Sequence, residues 1–381
     1  MAFYANMTEQ HFHRLKKGTS PFKKAHKVAI DKALRILNPA NEITCIIDYY
    51  KVTFPTTDIK SVVEKVLGIP FELGDEQERG TSGYTSAYKF SEIYVAVAPE
   101  DEIQGVMLEL KGKGCRELEF HLEKQNRSWL DFLNDQRRFQ PRIKRIDLAI
   151  DDYLGILNNF YLLEKAKKNE YYTPRAITFE YRNQRYQLEH EDGIYGEEYS
   201  CSLYFGSSRS ERQIVIYRKD IEQSIVKGKE TIRIEDLENQ IYKNRVELRF
   251  KENQAFVVFD HLINEKDIKE IALSILNEYL RFIVPTKNTT DKAEAKKDIM
   301  WSAFTKGCEK RLRLSVSARK PSIESNIMWL KSQVAPSIKF YQVNSQYTQT
   351  FDDMLEDAKS SPRLESVKKL ADMYEIEERE K

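Results

Sequence analysis

Gly206 to Gln223 reads GSSRSERQIVIYRKDIEQ and sets Tyr217 between Ile216 and Arg218, with Lys219 two residues on. A phenol in such a place is suited to transesterification. Its phosphate ester conserves the energy of a phosphodiester, and a later hydroxyl reverses the step. The free group is largely protonated at neutral pH, with a pKa of about 10, so a cationic neighbour such as Lys219 or a bound metal is expected to favour the phenolate. RIDLAID, read as a strand, sends Arg145, Asp147, Ala149 and Asp151 to one face and Ile146, Leu148 and Ile150 to the other. RVELRF sends Arg245, Glu247 and Arg249 opposite Val246, Leu248 and Phe250, and QIVIYRK groups Gln213, Val215, Tyr217 and Lys219. Brought into one sheet, these strands share an apolar back and carry carboxylates, guanidinium groups, an ammonium and a phenol in front. That set suits phosphodiester chemistry: carboxylates hold Mg²⁺ or Mn²⁺, and cations steady the charge that grows in the transition state.

A plainer reading stands beside this one. Most of the 21 tyrosines must pack or lie on the surface, and Arg/Asp/Glu alternation along strands also makes ordinary ion pairs. Arg145, Arg245 and Arg249 fit either phosphate contacts or pairs with the same carboxylates.

The elements that must position these groups follow from pattern. Residues 1–40 form a basic helical lead-in that ends at Asn38–Asn41, NPAN. From Ile43 to about Phe259 the texture is β: ITCIIDYYKVTF, EIYVAVAP, GVMLELKGKGCRELEF, RIKRIDLAID, RAITFEYR, YSCSLYFGS, RQIVIYRK and NRVELRF, interrupted by a helix-like SWLDFLNDQRRF. An IID or RID strand opens each part of this region and an LELK or VELRF strand closes it, a weak duplication that divides 41–259 into halves 41–135 and 136–259. Beyond Asn264 the spacing of Ile268, Ile271, Ile275, Tyr279 and Phe282 is helical and closes at Pro285; further helices are expected over 296–313, 322–334 and 351–374. The expectation is an α+β fold: a largely antiparallel twisted sheet with one face on a core and one free for a ligand, followed by a helical C-terminal region, 260–381.

The bulk composition narrows the partners. With 61 basic and 60 acidic residues the chain is not globally cationic, so polyanion binding must come from local patches. Three exist: residues 10–32, Lys124–Arg145 and Trp301–Gln342, ahead of an acid-rich tail from Asp352. Four scattered cysteines (Cys45, Cys115, Cys201, Cys308) read as free thiols, and neither a signal peptide nor a membrane span is visible, so a cytoplasmic protein is expected.

The segment from Gly206 through Ser207, Arg209, Ser210, Ile216, Tyr217 and Lys219 to Glu222 resembles the active-site motif of the Rep_trans replication initiators, the rolling-circle plasmid initiators and relaxases of integrative conjugative elements. RIDLAIDD upstream, RVELRF downstream and LKGKGCRELE in the first half extend the likeness from Ile43 to Phe259. The resemblance implies a bacterial, site- and strand-specific DNA nickase and a sheet of two related, TBP-like halves. Tyr217 would form a 5′-phosphotyrosine and free a 3′-hydroxyl, with Lys219 assisting. It implies a divalent cation on Asp147 and Glu247, with Glu109 as third ligand and Glu180 as the other candidate. Arg145, Arg209, Arg212, Arg218, Arg245 and Arg249 would contact DNA. Partners so implied are origin DNA, a PcrA/UvrD-type helicase and a second copy of the chain. Arg218 departs from the Asp or Asn that relatives often carry after the tyrosine. The basic Trp301–Gln342 stretch reads equally as an origin-discriminating segment or as a bundle closing the core.

Three alternatives remain at this level. His11 and His13 match a histidine-hydrophobic-histidine metal motif, but in a basic helical lead-in rather than on a rigid strand. A tyrosine recombinase would work without metal. A DNA-binding regulator on the same fold would bind without cutting.

Overall fold

RIDLAID and VELRF lie side by side at the centre of one large sheet. The computed structural model describes residues 8–17, 26, 30, 43–78, 80, 83–99, 104–190, 193–225, 230–239, 243–265, 267–286, 291–306, 308–314, 338–340, 353 and 356. Its strands are β1 (Thr44–Phe54), β2 (Asp75–Gln77), β3 (Ser86–Phe90), β4 (Ile93–Val97), β5 (Val106–Lys111), β6 (Arg142–Asp152), β7 (Tyr171–Tyr172), β8 (Phe179–His190), β9 (Gly193–Phe205), β10 (Arg212–Arg218), β11 (Thr231–Arg233), β12 (Asn244–Lys251) and β13 (Arg281–Phe282). The helices that matter here are α1 (Glu9–Lys16), α2 (Gly112–Lys124), α3 (Trp129–Gln136), α4 (Asn159–Lys167), α5 (Lys219–Ser224), α6 (Glu252–Glu265), α7 (Ile268–Tyr279) and α8 (Ile299–Phe304).

Eleven strands run in the order β11-β8-β9-β10-β12-β6-β1-β5-β4-β3-β2, while β13 and β7 form a separate pair. Every pairing in the large sheet is antiparallel except β11 with β8. The order is symmetric about the β6/β1 pair: β12 and β10 follow β6 outward, as β5 and β4 follow β1. The strand beside each central one leads directly into a helix, α2 after β5 and α6 after β12.

One face of the sheet is covered. Ile146, Leu148, Ile150, Val246, Leu248, Phe250, Ile214 and Ile216 are all buried in one cluster with Ala255, Val258 and Leu262 of α6 and Ile271 and Ile275 of α7. Each such aliphatic or aromatic side chain contributes about 1.5–3 kcal/mol by leaving water, so the alternation of apolar residues fixes which face carries the polar set. Asp267 caps α7 by accepting from the amides of Lys269 and Glu270, and Ser128 and Asp131 form a reciprocal capping box at α3.

Several expected boundaries shift. GKGCRELEF does not continue the strand; α2 starts at Gly112 because Cys115, Leu118 and Leu122 bury at three-to-four spacing. The β texture ends at Lys251, and α6 occupies the stretch expected as strand up to Phe259. Of the helix expected over 296–313 only α8 forms. The helices expected over 322–334 and 351–374 lie outside the described residues. The chain divides into one unit spanning Met1–Val316 and another spanning Ser317–Lys381.

Candidate active site

Register alone places the chemistry. On the polar face Tyr217 stands opposite Arg245, and Arg245 opposite Asp151. Val215 faces Glu247, which faces Ala149; Gln213 faces Arg249, which faces Asp147. A bulge in β1 between Ile47 and Tyr49 brings Tyr49 opposite Asp147 and frees Asp48 to turn toward Arg245.

The groups then pair. Tyr217 donates its hydroxyl to Glu247 Oε1 at 2.5 Å, and Arg249 grips Oε2 of the same carboxylate from Nε at 2.8 Å and from its terminal nitrogen at 2.6 Å. Arg145 binds Asp147 from Nε at 2.9 Å and from a terminal nitrogen at 2.5 Å, and its guanidinium lies 4.0 Å over the Tyr49 ring. Arg245 donates to Asp151 at 2.6 and 3.0 Å and reaches Asp48 at 2.9 Å. Arg145, Arg245 and Arg249 are thus engaged with the carboxylates beside them.

Electrostatics decides the protonation states. Burial drives the Tyr217 phenol well above its ordinary pKa, and the charge and hydrogen bond of Glu247 push it further; Arg245 opposes them only in part. Glu247 moves the other way: burial alone would raise it, but Arg249 and the phenol hold it below its ordinary value. Asp147 is raised to about 6 by burial, which Arg145 offsets incompletely, with Glu247 adding like-charge repulsion. The resting site is therefore a neutral phenol on a charged carboxylate, a donor held against its proton acceptor.

Lys219 stands outside the strand that its sequence position suggests. The strand ends at Arg218 and Lys219 opens α5, so strand alternation no longer applies. Its ammonium lies 2.5 Å from Glu222 and 5.7 Å from the centre of the Tyr217 ring, and the phenol is raised rather than lowered.

Tyr217 forms part of the wall of a cavity of about 280 Å³, shared with Gln184, Tyr186, Ser202, Tyr204 and Glu247. The β8/β9 hairpin thus supplies aromatic, amide and hydroxyl groups to one side of the phenol. Sequence reasoning missed these residues and Tyr49. Their alternation in the hairpin was readable, but their adjacency to Tyr217 depends on the β9/β10 pairing.

The remaining expected residues scatter. Glu109 sits on β5, two strands from Asp147, accepting from the Tyr49 hydroxyl and facing Lys51. Glu109 and Asp147 both act on Tyr49, which stands on the strand between theirs. Glu180 is opposite Tyr204, which is opposite Val215, three strands from Glu247. Among the described residues no three His, Cys, Asp or Glu side chains gather as a metal cluster. Arg218 pairs with Asp220 at 2.7 and 2.8 Å, Arg209 is exposed in the β9/β10 loop, and Arg212 lies on the opposite face of β10, stacked on Tyr279. His11 is on α1, near His26 at 3.5 Å, away from any strand.

Residues 141–357, more than half of the chain, match the family described as replication initiation factor. The chain belongs to this family. Residues 44–135 match a second model, described as a rolling circle replication initiation protein N-terminal domain. As a replication initiation factor the chain is 33% identical over 335 residues to NicK of Bacillus subtilis (strain 168), a protein named as a DNA relaxase, covering 87% of this chain and 90% of that one. A rolling circle replication initiator protein from Geobacillus stearothermophilus shares the fold, with a TM-score of 0.55 over 72% of this chain and all of that one at 21% identity. The replication initiation factor is thus a member of the rolling-circle initiator and relaxase group. None of its described helices is long and apolar enough to cross a membrane.

Proposed function

We propose that this replication initiation factor nicks one strand of its origin DNA through Tyr217, with Glu247 as the proton acceptor. The observation that carries the reading is the 2.5 Å contact between the phenol and a buried, ionised carboxylate at the wall of a cavity. The phenol oxygen attacks phosphorus and the bond to the 3′ oxygen breaks. Glu247 takes the phenolic proton, and water protonates the departing oxygen, giving a 5′-phosphotyrosine and a free 3′-hydroxyl. Arg249 and Arg145 then face a choice of anions, because an incoming phosphate competes with the carboxylates they now hold.

A divalent cation fits this site in donor type. Asp147 and Glu247 are diagonal neighbours on adjacent strands, close enough for the charge of Glu247 to raise Asp147. Two carboxylates with substrate phosphate and water suffice for Mg²⁺, so Glu109 is not needed as a third ligand. Bound there, the cation would supply Lewis-acid stabilisation of the phosphoryl oxygens. The symmetric strand order supports treating 41–135 and 136–259 as related halves. A PcrA/UvrD-type helicase and a second copy are partners to be sought by co-purification and sedimentation.

Supercoiled DNA bearing the cognate origin is expected to become open circles with the protein on the 5′ end, and EDTA is expected to stop the conversion. Full-rate nicking in EDTA would instead indicate metal-free, recombinase-like chemistry. Specific, salt-sensitive binding with no nick would identify a regulator. Glu247→Gln should slow adduct formation by about 10²–10⁴-fold, the usual worth of a positioned base, measured as single-turnover rates on an origin oligonucleotide.

A further inference from the structure

We propose that the cavity at the Arg212 end of β10, separate from the Tyr217 site, binds a phosphate group. It measures about 410 Å³ and is lined by Arg175, Thr178, Ser207, Arg212, Gln254 and Tyr279, among others. Thr178 precedes β8, Ser207 follows β9, Arg212 opens β10 and Gln254 follows β12, so the cavity lies at the end of these strands away from Tyr217. Five residues of strand separate Arg212 from Tyr217, about 17 Å at ~3.4 Å per residue. One phosphate cannot touch both.

The cations at this cavity lack the ion pairs found at the Tyr217 site. At the Tyr217 face Arg145, Arg245 and Arg249 each hold a carboxylate, and Arg218 holds Asp220. Arg212 forms no ion pair with any described acid. It is half-buried, lies flat against Tyr279 at 3.5 Å, and its guanidinium is made less basic by burial and then by the like charge of Arg175, partly offset by Tyr279 and Glu278. Arg175 is exposed and also lacks a described ion pair. Glu211, the acid in the lining, accepts from Asn253 Nδ2 at 3.1 Å. Two cations that repel each other at a half-enclosed cavity are relieved by an anion. A forked guanidinium matches phosphate geometry.

The polar surroundings agree. Gln254 Oε1 is buried without a hydrogen-bond partner among the described atoms. Turning that amide over presents its NH₂ to an anion. The neighbouring loop is already shaped: Gly206 adopts φ +95°, its amide donates to Thr178 O at 2.8 Å, and Ser210 Oγ bonds Ser207 O at 2.7 Å and Arg212 O at 2.5 Å. Little ordering is left for a ligand to impose.

The phosphate belongs either to a nucleic-acid backbone or to a free nucleotide. Tyr217→Phe protein is used throughout, so cutting does not enter and the outcome is independent of the nickase reading. Binding of a labelled single-stranded oligonucleotide is measured against salt with and without Arg175→Ala and Arg212→Gln. Hydrogen exchange at 173–178 and 206–212 is followed with the oligonucleotide and with dTMP. A backbone site predicts protection by the oligonucleotide and a salt slope shallower by about 0.7 for each phosphate that the variant no longer neutralises. A nucleotide site predicts protection by dTMP that Arg175→Ala weakens. Because Arg175 is exposed, that variant tests the site even if Arg212→Gln disturbs packing on Tyr279. An unchanged salt slope together with no protection by either probe overturns the proposal.

Discussion

Tyr217→Phe is expected to eliminate the covalent protein–DNA adduct, lowering it by at least about 10⁴-fold; loss of the nucleophile in other covalent enzymes costs as much as ~10⁶. The exchange removes one oxygen and keeps the ring. Glu247 loses a donor at Oε1 but keeps Arg249 on Oε2, and removing a single hydrogen bond costs about 1 kcal/mol. The fold and the affinity for origin DNA should therefore survive while the chemistry stops. The pairing makes the variant decisive, because the arginines, Asp147 and the cavity stay in place. Denaturing electrophoresis of labelled origin DNA measures the adduct, and peptide mapping of the wild-type adduct should place the phosphate on residue 217. Wild-type adduct levels in Tyr217→Phe would transfer the role to another phenol, Tyr186 and Tyr204 being the candidates that line the same cavity.

The contrast between Tyr217 and Lys219 shows what the sequence can reveal. Alternation in RIDLAID, VELRF and QIVIY separated the side chains of the shared apolar cluster from the others, because burying that set fixes the register of the faces. Parity alone separates Arg212 from Tyr217: five positions apart on a strand means opposite faces. Lys219 defeats the rule because the chain turns helical at that residue, a boundary that local pattern does not reveal. The placing of Glu109 was hidden for another reason. LELK was recognisable as a strand, but β1 lies between it and β6, and strand order is set by long-range pairing that no short motif encodes. The bulge that presents Asp48 and Tyr49 was equally hidden, since IIDYY alternates as well without it. The arginine–carboxylate pairing was legible as an alternative, and the structure realises it: three basic groups expected on phosphate rest on acids.

The second large effect concerns Arg245, which is 3% exposed. It links three strands, reaching Asp151 across the β12/β6 pair and Asp48 on β1. Arg245→Met should destabilise the folded unit by about 3–5 kcal/mol, because breaking a buried pair leaves the partner charged and unmatched. The partner at risk is Asp151, 1% exposed; Asp48 retains 20% side-chain exposure and stays hydrated. The loss has a definite pH dependence. Burial already raises Asp151 above its ordinary pKa against the opposing pull of Arg245, and removing the arginine raises it further. An acid whose folded pKa exceeds its unfolded value favours folding while protonated and loses that contribution as pH rises through the folded value. The gap between variant and wild type should therefore be widest near neutrality and narrow as the pH falls through the raised pKa of Asp151. Urea unfolding at several pH values measures it, and a gap that stays constant would show that Asp151 is not the group left stranded. Adding Asp151→Asn to Arg245→Met should recover much of the loss at neutral pH, because no buried charge then remains to be matched. The recovered protein should still nick slowly: Arg245 is the cation opposite Tyr217 that favours its ionised form, so the double variant separates what this guanidinium does for the sheet from what it does for the phenol.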